Sequence, residues 1–352
     1  MTSERDERRN AICLCVDANM MVPAMFVASS VIAHLTPRSI PCDIVIVSEP
    51  SQATDAQRDW MRANGVVLRE DADLSPHRAW FEPDSRLSPA VLIRLMLPEL
   101  LKEEYARILY LDADLTIHDD VSQIFRLDTE GHAFAASRAG KVFPGGDVER
   151  LRAETHFAEL GMTRPFRYFN AGVMLIDTDL WNASDLGRRA LRFVGDNLDI
   201  CYLYDEDALN AVADGDFCQI STLWNNAPHN TPKQMAARGV WPAIVHHMGY
   251  FKPWRRFIRR RRNSASRYYH GLYRDFVNGT PWSDWLAGQQ SLRDAGRFLE
   301  WRIAEVPRAV MHRRHRRAIA EEVRRFWREE RFADIEQGIV RREDGILRVK
   351  PE

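Results

Sequence analysis

Residues 107–114 read RILYLDAD, a mostly apolar run that ends in two aspartates separated by one residue. A short apolar run of this kind predicts a buried strand, which places Asp112 and Asp114 just past its end. Two carboxylates in this arrangement can share one hard cation, and oxygen ligands suit Mg²⁺ or Mn²⁺. The alternative is an ordinary turn or helix cap, since aspartate is common in both. The pair alone leaves these two interpretations open.

On both sides of this stretch, short apolar runs alternate with segments of helical periodicity. Strands are predicted over residues 11–16, 42–47, 66–68, 107–111, 133–137 and 172–177. Helices are predicted over residues 23–35, 51–64, 88–101, 180–198 and 206–213. This alternation predicts an α/β fold with a mostly parallel, doubly wound sheet flanked by helices. Ligands of such sheets bind outside the carboxyl ends of the strands, where the two aspartates are expected.

The composition indicates a folded protein with balanced charge. The 352 residues are 45% hydrophobic and include 10 tryptophans, which excludes a disordered chain, and the net charge of −1 argues against a uniformly basic nucleic-acid binder. Five cysteines without a Cys-x-x-Cys pair favour a reducing, cytoplasmic setting over a disulfide framework or zinc site. Residues 1–10 do not resemble a signal peptide, and no run reaches 18 apolar residues, so a transmembrane helix is not expected.

The near-zero net charge conceals two segments of opposite sign. Residues 1–250 hold 24 basic and 36 acidic residues, whereas residues 251–330 hold 20 basic and 9 acidic residues. From Trp254 onward arginine dominates and strand signals vanish. We therefore predict a first domain at 11–254 and a basic, aromatic, helical region at 255–352.

Arginine clusters at 255–262 and 311–317, with tryptophan and tyrosine between them, suit the surface of an anionic membrane. Residues 255–330 are the predicted contact with that membrane or with a lipid-linked acceptor. The alternative is a solvated helical face with ion pairs four residues apart. Nucleic acid is not an expected partner, because no groove-reading module accompanies the charge.

Residues 246–254 read HHMGYFKPW and add a second group of candidate ligands, far along the chain from the first. His246 can complete a carboxylate metal site. Gly249 lets the backbone approach a phosphate closely, and Lys252 supplies a point charge for it. A satisfied surface histidine and an ordinary loop lysine are the alternative.

Together these motifs resemble glycosyltransferase family 8, whose members are retaining, nucleotide-sugar-dependent enzymes of the GT-A fold. The resemblance rests on six motifs that follow one another within residues 11–254. They are CVDAN (15–19), IRL (93–95), YLDAD (110–114), FNAGV (169–173), DEDALN (205–210) and HxxGxxKPW (246–254). The region from Trp254 to Trp282 is similar to the bacterial lipopolysaccharide-type glucosyl- and galactosyltransferases of the family.

The resemblance implies a role for each matching residue. The implied ligands of Mn²⁺, with Mg²⁺ as the alternative metal, are Asp112, Asp114 and His246. The residues implied in binding the UDP part of the donor are Cys15 through its backbone, Asp17, Asn19, Arg94, Asp112, Ala113, Gly249 and Lys252. The residues implied at the donor sugar, as catalytic candidates, are Arg94, Asn170, Asp205 and Glu206.

Several of these residues also have a structural interpretation. Asp17 could cap the helix that begins near Met20. Arg94 lies in an apolar helix, where a buried arginine needs an acidic partner. Asn170 could be a turn residue, and Asp205 could be a first-turn acid that the helix dipole favours.

Two positions depart from the family pattern. Glu206 stands where the family commonly has glutamine, and Leu92 stands where it often has tyrosine. A glutamate makes a covalent glycosyl-enzyme chemically possible. We favour attack on the face from which UDP leaves, because the family works without a fixed carboxylate at that position.

The implied function is the transfer of a hexose, with retention, from UDP-glucose or UDP-galactose to a hydroxyl of a glycan or glycolipid acceptor such as lipopolysaccharide. The implied location is the cytoplasm, with peripheral attachment at the inner face of the membrane. Two other classes stay open: a nucleotidyltransferase of related fold, and an inactive glycan- or membrane-binding relic. The lack of glycine in residues 17–23 counts against the first class, and the complete metal triad counts against the second.

Overall fold

The computed structural model describes residues 8–81, 88–139, 147–226, 232–237, 239–249, 252–255, 264–289, 325–326 and 329–350. Numbered in chain order, the strands are β1 (Arg9–Cys15), β2 (Asp43–Val47), β3 (Val66–Arg69), β4 (Tyr105–Leu111), β5 (Leu115–Ile117), β6 (Phe134–Arg138), β7 (Phe169–Asp177), β8 (Cys218–Gln219), β9 (Ile244–His246), β10 (Val340–Glu343) and β11 (Ile346–Val349). The helices are α1 (Met21–His34), α2 (Asp55–Ala63), α3 (Ile93–Leu100), α4 (Asp147–Glu159), α5 (Thr178–Ala183), α6 (Leu186–Asp196), α7 (Asp205–Ala213), α8 (Pro232–Ala236), α9 (Ser264–Val277), α10 (Trp285–Gly288) and α11 (Ala333–Glu336).

The central sheet of the described chain has the strand order β3-β2-β1-β4-β7-β6-β8. Strands β3, β2, β1 and β4 are mutually parallel. Strand β7 runs antiparallel to both β4 and β6, and β8 is parallel to β6. The predicted α/β fold with a mostly parallel sheet is confirmed, and the carboxyl end of β4 lies in the middle of the sheet.

The structure breaks two of the predicted helices. The sequence predicts one helix over 180–198, whereas α5 and α6 are separate because Asp185 adopts a left-handed φ of 53°. The helix predicted over 88–101 begins with a 3₁₀ turn at Pro89–Leu92, where the Ser88 hydroxyl accepts a backbone N–H, and only then continues as α3.

Hydrophobic packing covers both faces of the sheet. On β1, Ile12 and Leu14 belong to the cluster that contains α1, whereas Ala11 and Cys13 belong to the cluster that contains α3, α5 and α6. All four side chains are fully buried. Such two-sided burial explains why the parallel strands read as continuous apolar runs in the sequence.

A short second sheet determines where the distant motifs of the chain meet. Strand β5 begins directly after Asp114 and pairs antiparallel with β9, so that Leu115 lies opposite His246. The backbone N–H of His247 donates to the carbonyl of Asp114 at 2.9 Å. The pairing therefore fixes His246 beside the carboxyl end of β4.

The described C-terminal residues pack onto the same core. Tyr273 of α9 stacks on Phe26 of α1 with a distance of 3.8 Å between the ring centroids. Trp254 and Trp282 are buried in the same hydrophobic cluster. Helix α9 ends just before the break that the sequence predicts around 278–281.

The expectation that strand signals vanish after Trp254 is wrong for the end of the chain. Strands β10 and β11 form an antiparallel hairpin, and its turn residues Asp344 and Gly345 have φ values of 48° and 79°. An Asp-Gly pair is the usual sequence of such a tight turn. Three of the four residues of β10 are charged and β11 has only four residues, so neither strand shows the apolar alternation that normally reveals a strand.

Nearly half of the basic, aromatic region at 255–352 falls outside the described residues. These undescribed parts include residues 256–262 of the first arginine cluster and the whole of the second, 311–317. Where the structure describes a helix, that helix is too short or too polar to cross a membrane.

Asp334 of α11 ties the C-terminal segment to the sheet. Its buried carboxylate accepts hydrogen bonds from the Ser221 backbone N–H at 2.9 Å, the Ser221 hydroxyl at 2.5 Å and the Trp224 indole N–H at 3.0 Å. Burial raises the pKa of this carboxyl, and the three donors oppose that effect. The turn that Asp334 holds leads directly into Asn225.

Replacing Asp334 with alanine tests this anchor. Because Asp334→Ala leaves buried donors without an acceptor, we expect the free energy of unfolding to fall by about 3 kcal/mol. Urea unfolding followed by tryptophan fluorescence measures the change. Glu343→Ala, on the exposed part of β10, is the control and should change the free energy by less than about 0.5 kcal/mol. Equal stability of the two variants would contradict the anchoring role.

Candidate functional site

Asp112, Asp114 and His246 come together at the carboxyl end of β4. The Nε2 atom of His246 lies 3.1 Å from Asp114 Oδ1 and 3.5 Å from Asp112 Oδ2. One ligand atom from each residue lies within 4.8 Å of the others. Asp114 and His246 are buried, and Asp112 is partly exposed. Two carboxylates and an imidazole form a donor set that fits a hard divalent cation such as Mg²⁺ or Mn²⁺.

The closeness of these groups depends on a glycine in the neighbouring strand. A Cβ atom built on Gly172 of β7 would lie 2.3 Å from His246 Cε1 and 2.7 Å from Asp112 Oδ2. The Gly172 carbonyl accepts the backbone N–H of Asp112 at 2.8 Å, so the strand cannot simply move away. Gly172 therefore provides the space in which the three ligand side chains meet.

Lys252 balances the charge of the acidic pair from one side. Its ammonium group forms an ion pair with Asp114 and donates to the His247 carbonyl at 2.9 Å. Burial alone would raise the pKa of the Asp114 carboxyl, but Lys252 and His246 hold that pKa well below its usual range. Burial lowers the pKa of His246, but Asp114 and Asp112 outweigh this effect and raise the pKa above its usual value.

Arg94 balances the charge from the other side. This buried guanidinium lies 2.9 Å from Asp112 Oδ1 and 2.8 Å from Asp205 Oδ2, and it donates to the Ala171 carbonyl at 3.0 Å. A buried arginine needs an acidic partner, and both partners of Arg94, Asp112 and Asp205, are themselves candidate site residues. Burial raises the pKa of Asp205 to about 7, with Arg94 opposing the shift.

Asn170 and Glu206 form a hydrogen-bonded pair beside Asp205. Glu206 Oε2 accepts from the Asn170 side-chain amide at 2.7 Å and from the Ala171 backbone N–H at 3.1 Å. Its Oε1 lies 3.1 Å from the Tyr168 hydroxyl, which donates to Asp207 Oδ1 at 2.5 Å. Asn170 is therefore more than a turn residue. Glu206 is the second residue of α7 and is buried.

The candidate nucleotide residues follow β1 at the same edge of the sheet. Cys15 ends β1, and Asp17 caps the 3₁₀ turn Ala18–Met20, since its Oδ1 accepts the Met20 N–H at 3.0 Å. The capping alternative for Asp17 is thus present in the structure. Asn19 is exposed on that turn, and Ala113 is buried between the two metal-binding candidates.

Gly249 lies in the loop between His247 and Lys252, with a φ of 82° that favours glycine. Among the described residues, none lies within 4 Å of the position of its absent Cβ. Its neighbour His247 is buried and bonds through Nε2 to the Thr116 hydroxyl at 2.8 Å. Burial lowers the pKa of His247 to about 3, so this ring is neutral at physiological pH.

Asn225 is a site residue that the sequence motifs miss. Its Oδ1 lies 2.8 Å from His246 Nδ1, and its Nδ2 donates to Asn170 Oδ1 at 2.8 Å. It lies between a 3₁₀ turn at Thr222–Trp224 and the following loop. Neither periodicity nor a local motif marks such a position, and only the fold brings it beside His246.

Comparison with known proteins places this geometry in a family. The model of glycosyl transferase family 8 matches residues 11–257. General stress protein A of Bacillus subtilis (strain 168) is 28% identical over 231 residues, which is 61% of this chain and 73% of that protein. Lipopolysaccharide 1,2-glucosyltransferase of Escherichia coli (strain K12) is 24% identical over 225 residues, which is 61% of this chain and 60% of that protein.

A solved structure agrees with the fold. The galactosyltransferase LgtC, solved with donor and acceptor sugar analogues, superposes with a TM-score of 0.60 and 23% identity over 78% of this chain and 99% of that one. The likeness confirms the predicted GT-A fold. Because the family model spans well over half of the sequence and includes all six motifs, this chain belongs to glycosyltransferase family 8.

Proposed function

We propose that this protein transfers a glucose or galactose residue from a UDP-sugar to a hydroxyl group of a cell-surface glycan, with retention and with Mn²⁺ as the metal. The observation that carries the proposal is the cluster of Asp112, Asp114 and His246, with Lys252 on one side and Arg94 on the other. Family membership supports transfer from a nucleotide-sugar donor. The name of the lipopolysaccharide 1,2-glucosyltransferase relative supports a hexose donor and a glycan acceptor.

Asp112, Asp114 and His246 hold the metal in this proposal. When bound, Mn²⁺ supplies a Lewis acid that neutralises charge on the diphosphate of the donor. Lys252 adds a second positive charge next to Asp114, where the departing phosphate becomes more negative. Gly249 lets the same loop approach the diphosphate without a side chain in the way.

The residues at the end of β1 hold the nucleoside. Cys15 contacts uracil through its backbone, and Asp17 and Asn19 contact uracil and ribose. Strand β1 is the parallel neighbour of β4, with Cys13 opposite Tyr110, so these residues and Asp112 share one edge of the sheet. That arrangement supports a donor that extends from β1 towards the metal ligands.

Arg94, Asn170 and Asp205 orient the donor sugar. Their side chains are already held in place, because Arg94 pairs with Asp112 and Asp205, and Asn170 bonds to Glu206 and Asn225. Preorganised polar groups of this kind contribute to catalysis, since they need little reorganisation when the transition state forms.

The contacts of Glu206 support same-face transfer over a covalent intermediate. Two N–H donors contact its Oε2 atom, which stabilises the carboxylate and makes it a poorer nucleophile. In same-face transfer the acceptor oxygen bonds to the anomeric carbon while the bond to the phosphate oxygen breaks. The bonding electron pair leaves with UDP, and the acceptor proton passes to that phosphate oxygen.

The acceptor and the location belong to the same proposal. We place the protein in the cytoplasm, where the basic, aromatic residues 255–330 attach it to the inner face of an anionic membrane that carries a glycolipid acceptor. A related nucleotidyltransferase would instead release pyrophosphate, and an inactive relic would bind the donor without turnover.

Asp114→Asn tests the metal site. We expect Mn²⁺-dependent UDP release from UDP-glucose or UDP-galactose to fall by about 10²–10³-fold, because the variant loses an anionic ligand and a partner of Lys252. A coupled assay for UDP measures turnover, and the Mn²⁺ electron paramagnetic resonance signal measures metal binding. Asp59→Asn, on the exposed side of α2, is the control and should leave both unchanged. Full UDP release by Asp114→Asn would refute the metal assignment.

Gly172→Ala tests the space around the ligands. The added methyl group collides with His246 and Asp112, so we expect the Kd for Mn²⁺ to rise at least about 10-fold. Gly271→Ala in α9 adds a methyl group at a position with no described neighbour within 4 Å and serves as the matched control. If Gly172→Ala bound Mn²⁺ as tightly as Gly271→Ala, the steric argument would fail.

Glu206→Gln tests the chemical route. A glutamine carbonyl accepts the same two N–H groups, and its amide can donate to the Tyr168 hydroxyl, so the site geometry is kept. We expect this variant to retain at least about one tenth of the transfer activity. Loss of transfer with intact donor binding would instead favour the covalent route.

A further inference from the structure

Side-chain hydrogen bonds form an unbroken chain that ends at His246. The first joins Glu206 to Asn170 at 2.7 Å, the second joins Asn170 to Asn225 at 2.8 Å, and the third joins Asn225 to the imidazole at 2.8 Å. Glu206, Asn225 and His246 are buried, so water does not readily replace these contacts.

Two backbone N–H groups of β7 determine which partner donates and which accepts in this series of hydrogen bonds. A backbone N–H can only donate, and that of Ala171 donates to Glu206 Oε2 at 3.1 Å. The same oxygen therefore accepts from Asn170, which must present its NH₂ group. Independently, the Gly172 N–H donates to Asn170 Oδ1 at 3.2 Å. Both contacts fix the Asn170 amide in one orientation.

The orientation of Asn170 determines that of Asn225. Because Asn170 Oδ1 is an acceptor, Asn225 must present its own NH₂ group to it. The Oδ1 atom of Asn225 then faces His246 Nδ1, and a carbonyl oxygen can only accept. His246 must therefore carry a proton on Nδ1.

The other nitrogen of His246 faces the two carboxylates. Its Nε2 lies 3.1 Å from Asp114 Oδ1 and 3.5 Å from Asp112 Oδ2. We propose that Asn225 is a positioning residue, which fixes the proton of His246 on Nδ1 and so presents Nε2 to the divalent cation. The inference rests on the proposed function in that it takes Asp112, Asp114 and His246 as the metal ligands.

A fixed Nδ1 proton has two effects on metal binding. A ring rotated by half a turn would lose its bond to Asn225, so the imidazole is held in one orientation. Without a cation, the two carboxylates hold a second proton on Nε2, and a bound cation displaces that proton, so the lone pair that binds the metal lies on the nitrogen that faces Asp112 and Asp114. Partners of this kind behind a metal-binding histidine typically contribute 10–100-fold to metal affinity.

The tautomer of His246 in the wild-type protein loaded with diamagnetic Mg²⁺ is the first test. The full chain is labelled with ¹⁵N-histidine, and long-range ¹H–¹⁵N correlation spectra are recorded at a pH at which the ring is neutral. Comparison with His246→Gln identifies the signals of His246. We expect the Nδ1–H form, and a predominant Nε2–H form would overturn the inference. This measurement needs no variant at Asn225, so it is decisive even where such a variant fails to fold.

Asn225→Ala is the second test. We expect a mixture of His246 tautomers and a Kd for Mn²⁺ that is about 10–100-fold higher, measured by electron paramagnetic resonance. Asn182→Ala is the matched control, because it removes an asparagine bond, to the Pro98 carbonyl at 3.0 Å, away from the metal ligands. A merely structural role predicts lower stability with the tautomer unchanged, which would refute the inference.

The two tests separate this inference from the proposed function. A wild-type protein that has the Nδ1–H tautomer with Mg²⁺ but shows no metal-dependent UDP release would refute the metal-dependent function and still support the positioning role. A wild-type protein that binds Mn²⁺ while His246 is predominantly in the Nε2–H form would do the reverse.

Discussion

Four acidic side chains crowd around the carboxyl end of β4, and their mutual repulsion is the constraint on which the rest of the site depends. They are Asp112, Asp114, Asp205 and Glu206. Burying a carboxylate costs several kcal/mol unless a cation or N–H groups compensate it. Each compensating group comes from a different segment: Arg94 from α3, His246 from β9, Lys252 from the loop after it, and the Ala171 N–H from β7. When these elements pack around β4, they therefore also neutralise the acidic side chains at its carboxyl end.

The sequence predicted the fold where its elements are long and strongly periodic. The apolar runs of β1, β2 and β4, and the helices between them, identify a doubly wound sheet, but periodicity carries no information on strand direction. The antiparallel course of β7 follows from its pairing with Arg107–Leu111, which only the folded chain reveals. Strands β5 and β9 have three residues each and are too short to show alternation. Yet their pairing is what brings His246 to Asp114.

The site was predictable to the extent that its residues stand in motifs at strand ends. Asp112, Asp114 and His246 belong to such motifs, and the structure brings them together. The sequence could not assign each acid to its cation, because Arg94 and Lys252 approach from opposite sides of the pair. Asn225 escaped prediction altogether, since it lies between elements and matters only through Asn170 and His246. Interactions between segments distant in the chain leave no local pattern.

The neighbours of Glu206 accept either of two residue types at that position, whereas the neighbours of Asn170 and Asn225 require an asparagine. At Glu206 one oxygen faces two N–H donors and must accept, whereas the other faces the Tyr168 hydroxyl, which can donate or accept. Glutamate and glutamine both satisfy this arrangement, so the departure from the family pattern leaves the geometry intact. Asn170 and Asn225 each have a donor on one side and an acceptor on the other, and both sides are fixed by their neighbours. Among side chains of this size only the amide of asparagine provides both, since a carboxylate would place two acceptors face to face. Two backbone N–H groups of β7 fix which atom donates and which accepts in each of these hydrogen bonds. They therefore constrain the identity of Asn170 and Asn225 more tightly than that of Glu206, the residue that departs from the family motif.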